Sequence, residues 1–154
     1  MPATVTWACV PFAELHPQQL YDALALRSEV FVVEQACVFH DMDGIDVHGW
    51  HLLGRDGDGR LAAYARLLPP GVKAPEVVIG RVITAPFARG SGMGHVLMRE
   101  AGARCTALWP GLPITLHAQA RLEAFYQVHG YATVSEPYIE DGIPHIEMRK
   151  ESDA

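Results

Sequence analysis

A glycine-rich stretch, Arg-Gly-Ser-Gly-Met-Gly at residues 89–94, limits the possible fold and ligands of this chain more than any other feature of the sequence. It lies between a run rich in β-forming residues and a predicted helix. Because glycine has no Cβ atom, such a loop can approach a bulky anion closely and adopt positive φ angles. Its successive N–H groups and the N-terminus of the next helix would then favour phosphate. An ordinary tight turn explains the glycines equally well, so the choice between a phosphate site and a turn depends on the rest of the sequence.

Two well-known glycine loops do not match this one. A P-loop ends in Gly-Lys-Ser or Gly-Lys-Thr, whereas Gly94 is followed by His95 and Val96. A dinucleotide-binding fold places its glycines after the first strand of a parallel sheet. Here the glycines follow the fourth predicted strand, so we expect neither kind of nucleotide site.

The order of the predicted elements indicates an α/β fold with a mixed sheet and helices on its faces. An Asp-Gly-Asp-Gly stretch at residues 56–59 predicts a tight hairpin between two strands. No repeat or linker divides the sequence, so we expect one domain over residues 1–154 with a folded core at about 4–150. The patterns predict about seven strands, at residues 4–10, 50–55, 60–68, 77–84, 114–118, 131–134 and 145–150, and helices at 17–34, from the glycines to 108, and at 122–129.

Charge and cysteine content narrow the class of protein. The chain has 12 Lys and Arg residues against 18 Asp and Glu residues, a net charge of −6 with His neutral. This acidic balance argues against a nucleic-acid partner held by phosphate contacts. No apolar run approaches the ~20 residues of a membrane span, and no basic residue precedes Arg27 as in a signal peptide. Three scattered cysteines indicate reduced thiols, so we expect a cytoplasmic protein without a membrane partner.

Three motifs resemble those of the GCN5-related N-acetyltransferase (GNAT) family. Arg89, Gly92 and Gly94 match its phosphate loop, Arg/Gln-x-x-Gly-x-Gly/Ala. The stretch at 82–86, Val-Ile-Thr-Ala-Pro, resembles the strand and proline before that loop. The stretch at 124–131 resembles the family's Phe-Tyr-x-x-x-Gly-Phe signature. The resemblance covers essentially the whole chain, and it implies a single-domain GNAT-like fold with a mixed, mostly antiparallel central sheet and helices on both faces.

Further segments resemble the ElaA-like subgroup of this family. They lie at residues 31–35, 80–82, 117–120 and 140–148. The members of that subgroup are defined largely by sequence, so the resemblance does not identify the acceptor.

The resemblance implies that the chain binds acetyl-coenzyme A (acetyl-CoA) as a co-substrate. The strand before the loop would part from its neighbour and pair with the pantetheine arm, as an added strand pairs with a sheet edge. The loop N–H groups would hold the pyrophosphate, and an amide side chain would orient the cofactor from the next strand. The cofactor-binding residues implied in this way are Val82, Ile83, Thr84, Arg89, Gly90, Ser91, Gly92, Met93, Gly94 and Gln119.

The same resemblance makes Tyr126 the candidate general acid. A phenol with a pKa of ~10 stays protonated at neutral pH and could protonate the departing thiolate. The alternative interpretation is an aromatic packing residue on the last helix. Glu34 is the candidate general base for the incoming amine, with a solvated helix end as its alternative. Lesser candidates for the base are His117, Glu140 and His145.

The acceptor side is less well defined by the sequence. Arg66 and Arg81 are lone charges in apolar strands, where each needs an acid partner, either Glu34 or another. Acidic stretches at 34–58 and 136–141 favour a cationic acceptor, a small-molecule amine or, alternatively, a protein amine. The competing function is a non-catalytic module that binds or senses acyl-CoA. A homodimer would be compatible with so small a domain.

Two stretches hint at a metal without completing a site. In Asp-Met-Asp-Gly-Ile-Asp at 41–46 the glycine of a calcium loop is misplaced and no glutamate closes the frame. His40, His48 and His51 match no standard zinc spacing, and no nearby Cys pair accompanies them. We therefore expect no bound metal.

Overall fold

The computed structural model describes residues 4–152, and their strands form one mixed sheet in the order β1-β2-β3-β4-β5-β8-β6, with β7 beside β8. The strands are β1 Thr6–Pro11, β2 Trp50–Arg55, β3 Leu61–Leu68, β4 Val77–Thr84, β5 Ile114–Gln119, β6 Ala132–Thr133, β7 Tyr138–Glu140 and β8 Ile143–Lys150. The α-helices are α1 Pro17–Arg27, α2 Met93–Leu108 and α3 Glu123–Gln127. All strand pairs except β4 with β5 are antiparallel. The mixed, mostly antiparallel α/β architecture is therefore confirmed.

The central strand β3 is buried on both faces, and its alternating side chains meet different helices. Ala63, Ala65 and Leu67 belong to the core that α2 covers. Tyr64 belongs to a second core, which α1 covers from the opposite face. Successive residues of a strand point to opposite faces, so one strand supports both cores. Helices thus lie on both faces of the sheet, as predicted.

The first predicted helix, at 17–34, is divided into two parts. His16 and Gln19 form a capping box around Pro17 at the helix start. The α-helix ends at Arg27, and the chain continues from Ser28–Glu34 in π-helical geometry. The structure differs from the predicted continuous helix in this wider π turn. The turn places Glu34 at the edge of the sheet where β4 and β5 part.

Strand β7 was not predicted from the sequence. Its three residues follow Pro137 and precede an Asp-Gly turn, so no period-two pattern develops. Pairing with β8 makes this segment a strand, with Tyr138 opposite His145. The predicted pairing of the two last strands is confirmed, because β6 pairs antiparallel with β8.

The two central strands β4 and β5 part soon after they meet. Their parallel pairing is limited to Val77 with Ile114 and Val78 with Thr115. Further along β4 the register with β3 shifts, and Arg81 takes a φ of 51° at the irregularity. A side chain with a Cβ atom seldom adopts such an angle, which costs about 1–3 kcal/mol and needs surrounding support. The parted strands create the cleft described next. Over residues 4–152, no helix is long and apolar enough to cross a membrane.

Candidate active site

A cleft of about 490 Å³ opens where β4 and β5 part. Its walls come from these two strands, from the π-helical segment, and from the β7–β8 hairpin. The predicted site residues that line it are Glu34, Val82, Ile83, Thr84, Arg89, Gly94, Gln119 and Tyr126. The other predicted residues of the loop, Gly90, Ser91, Gly92 and Met93, lie beside the cleft at the start of α2. The structure thus gathers the predicted residues around one opening.

The glycine loop has the backbone of an anion cradle. Gly90 and Gly92 have φ angles of 84° and 79°, and Gly92 is the N-cap of α2. Within the part of the chain described, no hydrogen bond is found from the N–H groups of Gly90 to Gly94. A Cβ atom on Gly94 would lie 3.4 Å from the Phe125 ring, so the helix start packs closely there. Unpaired N–H groups at a helix N-terminus fit a pyrophosphate.

Two of the predicted residues of β4 pack their side chains against the cores. Ile83 is buried in the core beneath α1, and Val82 packs against the core beneath α2. The Thr84 carbonyl accepts a hydrogen bond of 3.3 Å from Arg89 Nε. Since β5 has already diverged, the main-chain groups of this segment that face β5 have no strand partner. The side chain of Met93, at the start of α2, is also buried, like that of Ile83.

Arg89 reaches across the mouth of the cleft to Glu34. Its two terminal nitrogens donate hydrogen bonds of 2.9 and 2.8 Å to the two carboxylate oxygens. The hydrogen bond from Arg89 lowers the pKa of Glu34, despite slight desolvation. The pair holds the π-helical segment against the loop that follows β4. Glu34 is therefore ionised and engaged, which weakens it as a proton acceptor.

Three aspartates of the chain that follows the π-helical segment also pair with arginines. Three arginines face three aspartates behind the cleft, in the pairs Arg27–Asp41 and Arg27–Asp46 at 2.7 Å, Arg66–Asp43 and Arg66–Asp46 at 2.9 Å, and Arg81–Asp41 at 3.1 Å. The expected acid partners of Arg66 and Arg81 exist, but neither is Glu34. Because these three carboxylates already face arginines, they offer no free negative charge to a cationic acceptor, whose identity stays a prediction.

His51 and Tyr64 extend this buried network. His51 Nδ1 lies 2.6 Å from the Tyr64 hydroxyl, and Nε2 lies 3.0 Å from the carbonyl of Asp46. Burial lowers the pKa of His51, although the Asp46 carbonyl and charge oppose the effect. His51 therefore stays neutral at pH 7 and holds the loop through its ring nitrogens. His51, one of the three histidines considered as metal ligands, therefore has a structural role in this loop.

Tyr126 lines the cleft, and its side chain is also part of a core. Its residue surface is 6% exposed, and its ring packs edge-on against Phe125 and Tyr131 at centroid distances of 5.0 and 6.4 Å. Burial raises the pKa of Tyr126 to about 12. The packing interpretation is thus correct for the ring, and the hydroxyl is held in its protonated form. The role of general acid stays a prediction.

Gln119 ends β5 and contacts the chain that follows the π-helical segment. Its amide nitrogen donates a 3.3 Å hydrogen bond to the side-chain oxygen of Gln35. It also lies opposite His145 in the β5–β8 pairing. Gln119 therefore joins two walls of the cleft, and its predicted contact with the cofactor stays a prediction.

A polar wall on β5 and the β7–β8 hairpin was only partly anticipated. His117 Nδ1 lies 3.0 Å from the Tyr138 hydroxyl, and His145 Nε2 lies 3.5 Å from a carboxylate oxygen of Glu140. Sequence reasoning named the two histidines and Glu140 as lesser candidates but missed Tyr138. The only local signal for Tyr138 was a tyrosine just before an Asp-Gly turn.

A family model identifies the family to which this chain belongs. The family model described as an acetyltransferase (GNAT) domain matches residues 18–152. The chain belongs to the GNAT acetyltransferase family. Membership in this family indicates acyl transfer from acyl-CoA, and GNAT acyltransferases act on amine acceptors.

Relatives of this GNAT protein place it among ElaA homologues. It is 46% identical over 149 residues to protein ElaA of Escherichia coli, covering 96% of this chain and 97% of that protein. The solved structure of E. coli ElaA superposes with a TM-score of 0.90 at 45% identity, covering 96% and 100% of the two chains. An acyl-CoA N-acyltransferase from Pseudomonas aeruginosa superposes with a TM-score of 0.91 at 46% identity, covering 96% and 99%. The resemblance to the ElaA-like subgroup is thereby confirmed.

Proposed function

We propose that this GNAT protein transfers an acetyl group from acetyl-CoA directly to the amine of a small-molecule acceptor. One observation carries the proposal. The parted strands β4 and β5 open a cleft that is lined by both Tyr126 and Gly94, and the N–H groups of the described glycine loop at 90–94 are unpaired. A long, partly anionic thioester would need both a cradle for its phosphates and a proton donor near its sulfur. A small acyl group suits the buried position of Tyr126, and a protein amine is the alternative acceptor.

The chain's own groups supply binding and charge stabilisation. The main chain of Val82 to Thr84 offers hydrogen bonds to an extended arm, because β5 does not occupy that edge. The N–H groups of residues 90–94 offer a cradle for two phosphates. When the amine attacks the carbonyl, the oxygen becomes an oxyanion, and N–H groups from β4 would stabilise it.

Tyr126 would donate its proton to the thiolate as the carbon–sulfur bond breaks. Burial holds its pKa at about 12, so the phenol keeps that proton throughout the neutral range. Its position on α3 beside the cleft supports this role. A buried phenol also cannot be deprotonated by bulk water at neutral pH, so the acid form is always present.

Glu34 stays the sequence-based candidate for the general base, but its contacts favour another role. Its carboxylate is engaged by the Arg89 fork, and that fork lowers its pKa. We propose that Glu34 mainly holds Arg89 at the rim of the phosphate loop. A cytoplasmic location is proposed as well, and the unpaired cysteines Cys9, Cys37 and Cys105 support it.

The test separates an enzyme from a binding module. Acetyl-CoA is first titrated into the purified protein by calorimetry, and we expect saturable binding with a stoichiometry of about one per chain. Free thiol is then followed with a panel of amino acids, polyamines and lysine peptides. Thiol release above the no-amine control supports transfer. Binding without release for every amine would favour the acyl-CoA sensor, and no binding would defeat the proposal for both.

A further inference from the structure

His117 occupies a position in the cleft that neither the fold nor the phosphate loop requires. It lies on β5, two residues beyond Thr115, which is the last residue of β5 to pair with β4. Its side chain lines the cleft where the strands have parted. Leu116 and Ala118 on either side of it point into the core. His117 is thus on the opposite face of the strand, toward the cleft.

The two ring nitrogens of His117 differ in their contacts. Nδ1 lies 3.0 Å from the Tyr138 hydroxyl. Nε2 is buried and, within the described part of the chain, has no hydrogen-bond partner. A histidine held at one nitrogen and left open at the other has the arrangement of a general acid or base.

The surroundings of His117 keep its ring neutral. Burial lowers the pKa of His117, and the nearby positive charge of Lys73 lowers it further. Glu140 on β7 and Glu147 on β8 act in the opposite direction, and His145 on β8 again lowers the pKa. The net effect is a pKa below the usual value of 6.5. The ring can therefore accept a proton at pH 7.

The Tyr138 hydroxyl is the hydrogen-bond partner of Nδ1, so it bears on which nitrogen of His117 carries the hydrogen. Burial raises the pKa of Tyr138, and the charges of Glu140 and Glu147 raise it further. The phenol therefore stays protonated, and its oxygen keeps lone pairs that accept hydrogen bonds. The oxygen is then free to accept a hydrogen bond from Nδ1–H of His117. In that tautomer Nε2 carries the lone pair.

We propose that His117 Nε2 is the general base that takes a proton from the acceptor ammonium, with Tyr138 as the residue that positions the ring. This assignment rests on the proposed acetyl transfer. The Nε2 lone pair accepts one proton, directly or through one water, and leaves a neutral amine. The amine forms a bond to the thioester carbon, the carbon–sulfur bond breaks, and Tyr126 gives its proton to the thiolate. The second proton lost by the nitrogen returns to Tyr126, and His117 releases the first to solvent.

The first test reads the ring without relying on turnover. Histidine side chains of the intact protein are labelled with ¹⁵N and titrated by NMR, with His117→Gln used to assign the His117 resonances. We expect the Nδ1–H tautomer and a pKa below 6.5. In Tyr138→Phe we expect a larger fraction of the Nε2–H tautomer. A wild-type ring that is charged at pH 7, or one that holds its hydrogen on Nε2, would overturn the proposal.

The second test uses the amine that gives the fastest thiol release. At pH 7 we expect His117→Gln to lower kcat by about 10²-fold or more, with the Kd for acetyl-CoA unchanged. The decline of kcat/KM toward acid pH should disappear in His117→Gln. In Tyr138→Phe the same decline should occur at a different pH. Full activity of His117→Gln with the wild-type pH profile would refute the base but leave the transfer intact. If the wild type acetylates no amine, the proposed function and this assignment both fail.

Discussion

At the residue scale, three side chains that line the cleft have separate tasks in the proposed reaction. Tyr126 is buried and protonated, Glu34 is fixed by an arginine fork, and His117 is neutral with one open nitrogen. Their environments separate their pKa values and thereby indicate which one can donate and which one can accept a proton. Substitution of Tyr126 or His117 should therefore lower kcat, and only the change at His117 should remove the acid limb of the pH profile. Substitution of Glu34 should instead weaken cofactor binding.

Removal of the Tyr126 hydroxyl should slow the reaction without loosening the cofactor. In Tyr126→Phe the ring still fills the space between Phe125 and Tyr131, so the fold is preserved. Without the proton for the thiolate, we expect kcat to fall about 10²-fold. Steady-state kinetics and calorimetric titration with acetyl-CoA measure the two effects. A turnover number equal to that of the wild type would remove Tyr126 from the mechanism.

Substitution of Glu34 distinguishes a base from a holder of Arg89. In Glu34→Gln the neutral amide can no longer form the charged fork with Arg89. We expect weaker binding of acetyl-CoA and an acid limb of kcat/KM at the same pH as in the wild type. Kinetics over pH 5 to 9, with calorimetry at pH 7, provide the comparison. Disappearance of that limb in Glu34→Gln would assign the base to Glu34 and not to His117.

At the element scale, the junction from β4 through the loop into α2 depends on backbone conformation. Gly92 has a φ of 79°, and the space that a Cβ atom would take there is free of other atoms to 4 Å, so a methyl group would meet no neighbour. A residue with a Cβ in this left-handed conformation still costs about 1–2 kcal/mol. The added methyl group would also lie beside the N–H groups that are proposed to hold the pyrophosphate.

Gly92→Ala should therefore weaken both stability and cofactor binding. Gly111, after the end of α2, is a matched control, because its φ is 81° and its Cβ position is equally open. We expect both variants to lower Tm by several degrees, about 2–4 °C per kcal/mol for a chain of this size. Only Gly92→Ala should raise the Kd for acetyl-CoA. Equal cofactor affinity in the two variants would contradict the assignment of the loop.

At the scale of the whole molecule, buried ion pairs attach the loop after the π-helical segment to the sheet. Burial alone would raise the pKa of Asp43, but hydrogen bonds and charge from Arg66 lower it to about 2. Asp46 has a lowered pKa for the same reasons, with Arg27 contributing most against burial. A carboxyl group with a lowered pKa stabilises the folded state above its unfolded pKa of ~3.9 and loses that effect as the pH falls.

Acid should therefore weaken this attachment between about pH 4 and pH 2. We expect Asp43→Asn to have a lower Tm than the wild type at pH 7, because Arg66 keeps one charged partner fewer. The difference in Tm should shrink as the pH falls through this range, since the wild-type carboxylate becomes protonated. Thermal unfolding followed by circular dichroism from pH 7 to pH 2 measures it. A constant difference at all pH values would contradict the ion-pair explanation.

Local sequence patterns were enough to predict the strand–loop–helix junction that is proposed to bind the acyl donor. The strand at 77–84, the glycine loop and the start of α2 are contiguous, and turn chemistry and periodicity act between neighbours along the chain. The mixed sheet followed from the order of such local elements. The order of local elements did not predict the π-helical second part of the first helix or the short strand β7. Tertiary packing and strand pairing create both.

The side-chain contacts across the cleft exist only in the tertiary structure. Glu34 and Arg89 are 55 residues apart in the chain, and His117 and Tyr138 are 21 apart. Which arginine meets which carboxylate depends on where β4 and β5 part and on how the π-helical segment and the β7–β8 hairpin close over them. Charge pairing depends on distance in space and on desolvation, and a linear pattern encodes neither. For that reason the sequence alone did not show that Asp41, Asp43 and Asp46 of the first acidic stretch are internal partners of arginines.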